Sequence, residues 1–163
     1  MRIRSGLQHG DLGAVTRLHG LVYAAEYSLD RRFEAAVAAR LAELTLRGWP
    51  GPGEGLWIAE SGSEPVGSVT LADQGDGLAR LGHVVLSPEA RGHGVGRRLV
   101  EGALARAREA RYARVELTTF SELTTAARIY RAAGFERVSS DERSPWGRAI
   151  QMERYVLELT SPG

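Results

Sequence analysis

Apolar residues return at helical spacing soon after the start of the chain. Leu12, Val15, Leu18 and Val22 fall on one face, which predicts a first helix with Asp11 as its N-cap. Asp30 stands where it would cap a second helix, with Phe33, Val37, Leu41 and Leu44 on the buried side. The Gly/Pro cluster from Gly48 to Gly55 then excludes helix and central strand alike, so it is a loop. Beyond it the period shortens. Leu56 to Glu60 and Val66 to Leu71 read as strands joined through Ser61-Gly62-Ser63, and a third strand from Ala79 to Leu86 follows the turn residues Asp73 to Gly77.

The next helix begins inside a glycine-rich run and continues to Glu109. Val95, Leu99, Ala103, Leu104 and Ala107 form its apolar stripe, and Arg97, Arg98, Glu101, Arg108 and Glu109 its polar face. A strand over Val115 to Thr119, a shorter helix ending near Ala133 before Gly134, and strands over Phe135 to Ser139 and Ile150 to Leu159 complete the chain. The pattern predicts a mixed α/β domain: two helices, a meander, a strand-helix-strand-helix unit and closing strands. At 163 residues, one domain over 1–163 is expected.

Charge adds little beyond exclusions. With 21 basic and 20 acidic side chains there is no overall basic excess, which argues against a dedicated nucleic-acid binder. No cysteine is present, so a thiolate nucleophile, a thiolate metal site and a disulfide scaffold are all excluded. No apolar run approaches the roughly 20 residues that span a bilayer. The first residues have no apolar stretch behind their charges, unlike a signal peptide, so a cytoplasmic protein without a membrane partner is expected.

The chemistry concentrates in Leu86-Ser-Pro-Glu-Ala-Arg-Gly-His-Gly-Val-Gly-Arg-Arg-Leu-Val100. A strand enters, proline stops ladder pairing, alternate glycines follow and a helix leaves. The first amides of that helix lack internal partners and carry the positive end of its dipole. Gly92, Gly94 and Gly96 leave them uncovered by Cβ atoms, and Arg91, Arg97 and Arg98 add charge, so a pyrophosphate can approach. Neither familiar phosphate loop fits. Arg97 and Arg98 follow Gly96 where a P-loop needs Lys-Ser/Thr, and Arg97 occupies the third glycine of a dinucleotide fingerprint.

What the run does satisfy is Arg/Gln-x-x-Gly-x-Gly, through Arg91, Gly94 and Gly96. With the preceding strand and Pro88, it resembles the acetyl-CoA motif of the GNAT superfamily of N-acetyltransferases. Ala126-Ala-Arg-Ile-Tyr-Arg-Ala-Ala-Gly-Phe135 is similar to that family's Ala-x-x-x-Tyr-x-x-x-Gly-Phe segment, and Trp57 to Val69 to its central hairpin. More narrowly, His19 to Tyr27, Phe33 to Val37 and Trp146 to Ile150 resemble acetyltransferase domains fused to MarR-type regulators; the regulator domain itself is absent. The resemblance implies a mixed sheet of six or seven strands flanked by about four helices, with acetyl-CoA as co-substrate, an amine as acceptor and no metal. It places pantetheine in a gap beside the third strand, against backbone groups of Val84, Val85 and Leu86. It places the pyrophosphate over Gly92, His93, Gly94, Val95, Gly96 and Arg97, with Arg91 at the opening. Relatives often pair as homodimers, although no residue here compels it.

The resemblance also implies that Tyr130 stands near the coenzyme sulfur, where a phenol donates a proton to the departing thiolate; core packing is the alternative. The base is open. Relatives carry a glutamate where this chain has Arg80; His83 titrates in the right range but alternation points it away from position 80 unless a bulge intervenes, and Glu116 is a further candidate, acting through water. Leu123 replaces a pantetheine-binding asparagine, leaving Ser121, Thr124 and Thr125 as nearby polar residues. Tyr23, Glu26 and Tyr27, with His19 and Asp30, cluster at spacings of three and four where the resemblance puts the acceptor, and carboxylates beside rings suit a cationic amine. Trp49 is either a rim of that mouth or a packed anchor. The resulting expectation is acetyl transfer to a small amine or amino acid, with a protein acetyltransferase and a non-catalytic acyl-CoA sensor as the alternatives.

Overall fold

The computed structural model describes residues 1–159, and a seven-stranded sheet organises them. In chain order the elements are β1 (Arg2–Ser5), α1 (Asp11–Tyr27), α2 (Arg31–Leu46), β2 (Gly55–Ser61), β3 (Glu64–Gly75), β4 (Leu78–Leu86), α3 (Val95–Glu109), β5 (Arg114–Phe120), α4 (Thr124–Ala132), β6 (Glu136–Arg143) and β7 (Ile150–Glu158). The spatial order is β1-β2-β3-β4-β5-β7-β6. Every neighbouring pair is antiparallel except β4 and β5, which run parallel. The expected six or seven strands and about four helices are therefore seven and four.

The middle of the sheet is buried on both faces, as β2 shows, whereas the edge strand β6 is exposed along its length. Trp57 and Ala59 pack with Leu99 and Ala103 of α3, whereas Leu56 and Ile58 pack with Val37, Leu41 and Leu44 of α2. α1 and α2 thus cover one face and α3 the other. The amphipathic stripe of α3 is buried along its length, from Val95 through Leu99, Ala103 and Leu104 to Ala107.

Two details differ from the sequence expectation. β1 was not anticipated, because four residues with Ile3 as their lone apolar side chain carry no readable period. Asp11 is not the N-cap of α1. Gly10 holds that position with φ +91, and Asp11, 4% exposed, instead takes Arg4 in a two-point ion pair at 2.7 and 3.1 Å and accepts from the Gln8 N–H at 2.8 Å. Asp30 does cap α2, its carboxylate accepting from the Arg32 N–H at 2.9 Å. Trp49 is a packed anchor, 2% exposed, with its indole N–H donating to the Leu71 carbonyl at 3.0 Å.

Candidate active site

β4 makes the site by leaving its neighbour. It pairs with β5 only over Leu78–Arg80 against Arg114–Glu116, after which β5 continues along β7 as far as Phe120 opposite Met152. The remainder of β4, to Leu86, borders a gap. Two cavities open into that gap.

The first, about 160 Å³, lies between the end of β4 and α4. Val84, Val85 and Leu86 line it, together with Arg91 and Gly96. The Val84 carbonyl already accepts from the Tyr23 hydroxyl at 3.0 Å, and that of Leu86 from the Arg91 guanidinium at 3.0 Å; each retains a second lone pair. Leu123 lines both cavities, and Thr124 and Thr125 supply hydroxyl-bearing side chains to the first.

The glycine-rich loop enters α3 beside this cavity. Gly92 and Gly94 have φ of +80 and +72, a region disfavoured for side-chain-bearing residues, and nothing lies within 4 Å of where a Cβ would sit on either. Gly96 serves differently. It is inside the helix, and a Cβ there would meet Leu86 Cδ1 at 3.0 Å and Ile129 Cδ1 at 3.2 Å, so its smallness allows close approach. Val95 buries its side chain in the core and presents only backbone to the loop. The first turn of α3 contains no acidic residue and no side chain caps it. Instead it carries Arg97, paired with Glu101 at 2.8 Å, and Arg98, which forms no ion pair among the described residues. Cations at the positive end of a helix dipole are unfavourable unless an anion joins them. His93 is exposed in the same loop.

The second cavity, about 410 Å³, lies on the other side of the gap, beneath α1 and α2. Its walls include Phe33, Phe120, Trp146 and Met152, with His19 and His83 as polar members. The β6–β7 connection closes over it. The Phe33 and Trp146 rings meet edge-on at 4.9 Å, the Trp146 carbonyl accepts from the Asp30 N–H at 3.0 Å, and Arg148 pairs with Glu122 while donating to the Tyr27 carbonyl at 3.0 Å.

A bulge decides which way His83 faces. Ser68 is opposite Val85 but Thr70 is opposite Gly82, so β4 uses one extra residue, and His83 takes φ +48. Arg80 and His83 consequently line the same cavity. Ser68 and Thr70 hold the histidine from β3: the Ser68 hydroxyl donates to its carbonyl at 2.7 Å and Thr70 Oγ1 lies 2.9 Å from Nδ1. Burial, with lesser contributions from His19 and Arg40, lowers the His83 pKa to about 3, and burial lowers that of His19 to about 4. Both rings are neutral at pH 7, and neither is a strong base.

Tyr130 belongs to both cavities and is 4% exposed. Burial, then Tyr23 and Tyr155, push its phenol well above the ordinary value, so it keeps its proton. Tyr23 also lines both cavities, and burial raises its phenol likewise. The other two proposed acceptor contacts stand elsewhere. Tyr27 lines the first cavity, and Glu26 lines neither, forming a two-point ion pair with Arg91 at 2.6 and 2.9 Å. Helical spacing puts Glu26 three residues beyond Tyr23, but the end of α1 lies over the glycine loop rather than over the second cavity. Glu116 lines neither cavity; Arg80 and Arg154 each hold one of its oxygens at 3.0 Å. Sequence reasoning overlooked Arg40, which lines the second cavity from α2 beside Val37. Its position next to the apolar stripe of that helix is the one signal it offered. Among the described residues, no three His, Asp or Glu side chains converge as metal ligands.

The mixed sheet thus parts at its parallel pair, with a bare-amide loop at one side of the gap and an aromatic-walled cavity at the other. The chain belongs to the acetyltransferase (GNAT) family, whose model matches residues 22–135. It is 26% identical over 155 residues to human N-acetyltransferase 8B, covering 91% of this chain and 68% of that protein. Against N-acetyltransferase 8B of Rattus norvegicus it is 31% identical over 127 residues, covering 75% and 57%. Among solved structures, ribosomal-protein-alanine N-acetyltransferase from Brucella melitensis superposes with TM-score 0.77 at 19% identity, covering 98% of this chain and 100% of that one. The Salmonella typhimurium protein yncA, solved with its cofactor acetyl-CoA, superposes with TM-score 0.74 at 18% identity, covering 100% and 96%. The narrower likeness to domains fused to MarR-type regulators finds no counterpart in these matches.

Proposed function

We propose that this chain transfers the acetyl group of acetyl-CoA to the primary amine of a small molecule, with both substrates bound together. The observation that carries the reading is the meeting of the two cavities at Tyr130. The donor side suits the coenzyme. Gly92 and Gly94 leave room above the free amides of Val95, Gly96 and Arg97, which fits a diphosphate, and the gap beside β4 fits a narrow thioester-bearing arm.

Acetyl-CoA supplies an acetyl group activated as a thioester. Tyr130, neutral in its buried setting, gives its proton to the departing sulfur as the carbon–nitrogen bond forms and the carbon–sulfur bond breaks. The proton shed by the nitrogen passes to solvent, and the phenol is reprotonated in turn. His83 orients and shields rather than abstracts, because its pKa near 3 makes it a weak base. Phe33 and Trp146, which meet edge-on at 4.9 Å, narrow the second cavity on one side, and its volume of about 410 Å³ suits a small acceptor. The test is release of free thiol from acetyl-CoA across a panel of amines. Coenzyme binding without turnover of any amine would overturn the reading in favour of a sensor.

A further inference from the structure

The second cavity has an unusual charge inventory for a site that receives an amine. Arg40 and Arg80 line it, and among the described residues no carboxylate does. Arg80 is largely neutralised, because its Nη2 lies 3.0 Å from Glu116, although Arg154 claims the other oxygen of that glutamate at 3.0 Å. Arg40 is not. Its nearest acidic partner is Glu43, at 3.5 Å, with 71% of that side chain in solvent, where such a pair contributes little. A simple cationic amine entering here meets uncompensated positive charge. An acceptor that carries its own anion does not.

His19 gives a second, independent indication. It lines the cavity yet is 3% exposed, and its Nδ1–H donates to the Val15 carbonyl at 2.8 Å. That bond fixes Nε2 as an acceptor, and Nε2 is buried without any partner. Buried acceptors left unpaired are costly, so a ligand N–H that reached Nε2 on binding would relieve that cost. The remaining wall, from Phe33 and Phe120 to Trp146 and Met152, is apolar and largely aromatic.

We propose that the acceptor is an amino acid with an apolar or aromatic side chain, its carboxylate held by Arg40 and its nitrogen donating to His19 Nε2. The aromatic wall takes the side chain. The inference rests on the transferase reading, whose acceptor it defines.

The experiment compares phenylalanine with phenethylamine, which has the same ring and amine and lacks the carboxylate. With the full chain and acetyl-CoA, phenylalanine should give a kcat/KM about 10- to 100-fold higher, the range of a hydrogen bond to a charged group. Arg40→Gln should bring that ratio close to one, and Arg40→Lys should restore part of it. Arg40 lies on an accessible helix face with no buried partner, so both variants should fold. Equal or better turnover of phenethylamine by the unmodified protein overturns the inference while leaving the transferase reading intact. Calorimetry with 3-phenylpropionate, which has the carboxylate and no amine, decides the anion site without turnover. Saturable binding that Arg40→Gln abolishes supports it, and absence of binding overturns it, even if no amine is acetylated and the transferase reading has itself failed.

Discussion

Arg80 and His83 are three residues apart on one strand, yet both side chains line the same cavity. A regular strand would send them to opposite faces. The left-handed φ of +48 at His83, and the extra residue that β4 inserts there, reconcile the two. The bulge brings an imidazole to the place where a regular strand would leave only the guanidinium, and burial then strips that imidazole of basic strength.

Tyr130→Phe removes the phenolic proton while keeping the ring that packs against Phe135 and Tyr155. We expect kcat to fall by about 10²- to 10⁴-fold, the usual contribution of a positioned acid, with acetyl-CoA affinity unchanged. Steady-state rates together with calorimetry check both halves. An unchanged kcat would make Tyr130 a packing residue alone.

Glu116→Gln should leave kcat within about threefold of the parent, since the carboxylate is held by Arg80 and Arg154 and faces neither cavity. A loss comparable to that of Tyr130→Phe would instead make Glu116 the base.

His83 and His19 are neutral in the fold, with pKa lowered to about 3 and about 4 from 6.5. Arg40 and Arg80 line the same cavity and further disfavour a charged ring. Between those values and 6.5 the unfolded chain binds more protons than the folded one, so stability rises with pH in this window and is lost as pH falls through it. Each ring contributes a slope of about 1.4 kcal/mol per pH unit at most. Urea midpoints at pH 7.5, 6 and 5 should decline accordingly, and His83→Gln should flatten the slope. A midpoint constant from pH 6.5 to 5 contradicts the assignment.

Gly94→Val places a β-branched residue at φ +72, which strains the N-cap of α3 whatever the surrounding space. Because a Cβ there meets no protein atom within 4 Å, any loss of coenzyme affinity comes from the distorted loop or from the ligand's own approach. We expect affinity for coenzyme A to weaken at least about tenfold and stability to drop by roughly 1–2 kcal/mol. Calorimetry showing full affinity would remove the loop from the binding site.

Much of the scaffold was legible because its determinants are local. The apolar stripe of α3, the Asp30 cap and the turn at Gly62, with φ +62, each follow from residues within one or two turns. The glycine loop was legible for the same reason. The lining of the second cavity was not. Its composition depends on the bulge at His83, which no residue type announces, and on the path of the β6–β7 connection, which carries Trp146 back over Phe33 from a distant part of the chain. Helical spacing puts Glu26 on a face with Tyr23 but fixes angle only, not which neighbour lies below, and there its partner is Arg91. Arg40 went unnoticed because a charged residue on a helix usually faces solvent.

The parting of β4 from β5 after Arg80 opens two cavities that share Tyr23, Leu123 and Tyr130 but differ in most of their lining. One is shaped by α4, the glycine turn and the end of α1, the other by α2 and a single late connection that carries Trp146. On the proposed reading, a change in that connection or in the rim of α2 would alter the choice of nucleophile while leaving the glycine turn untouched.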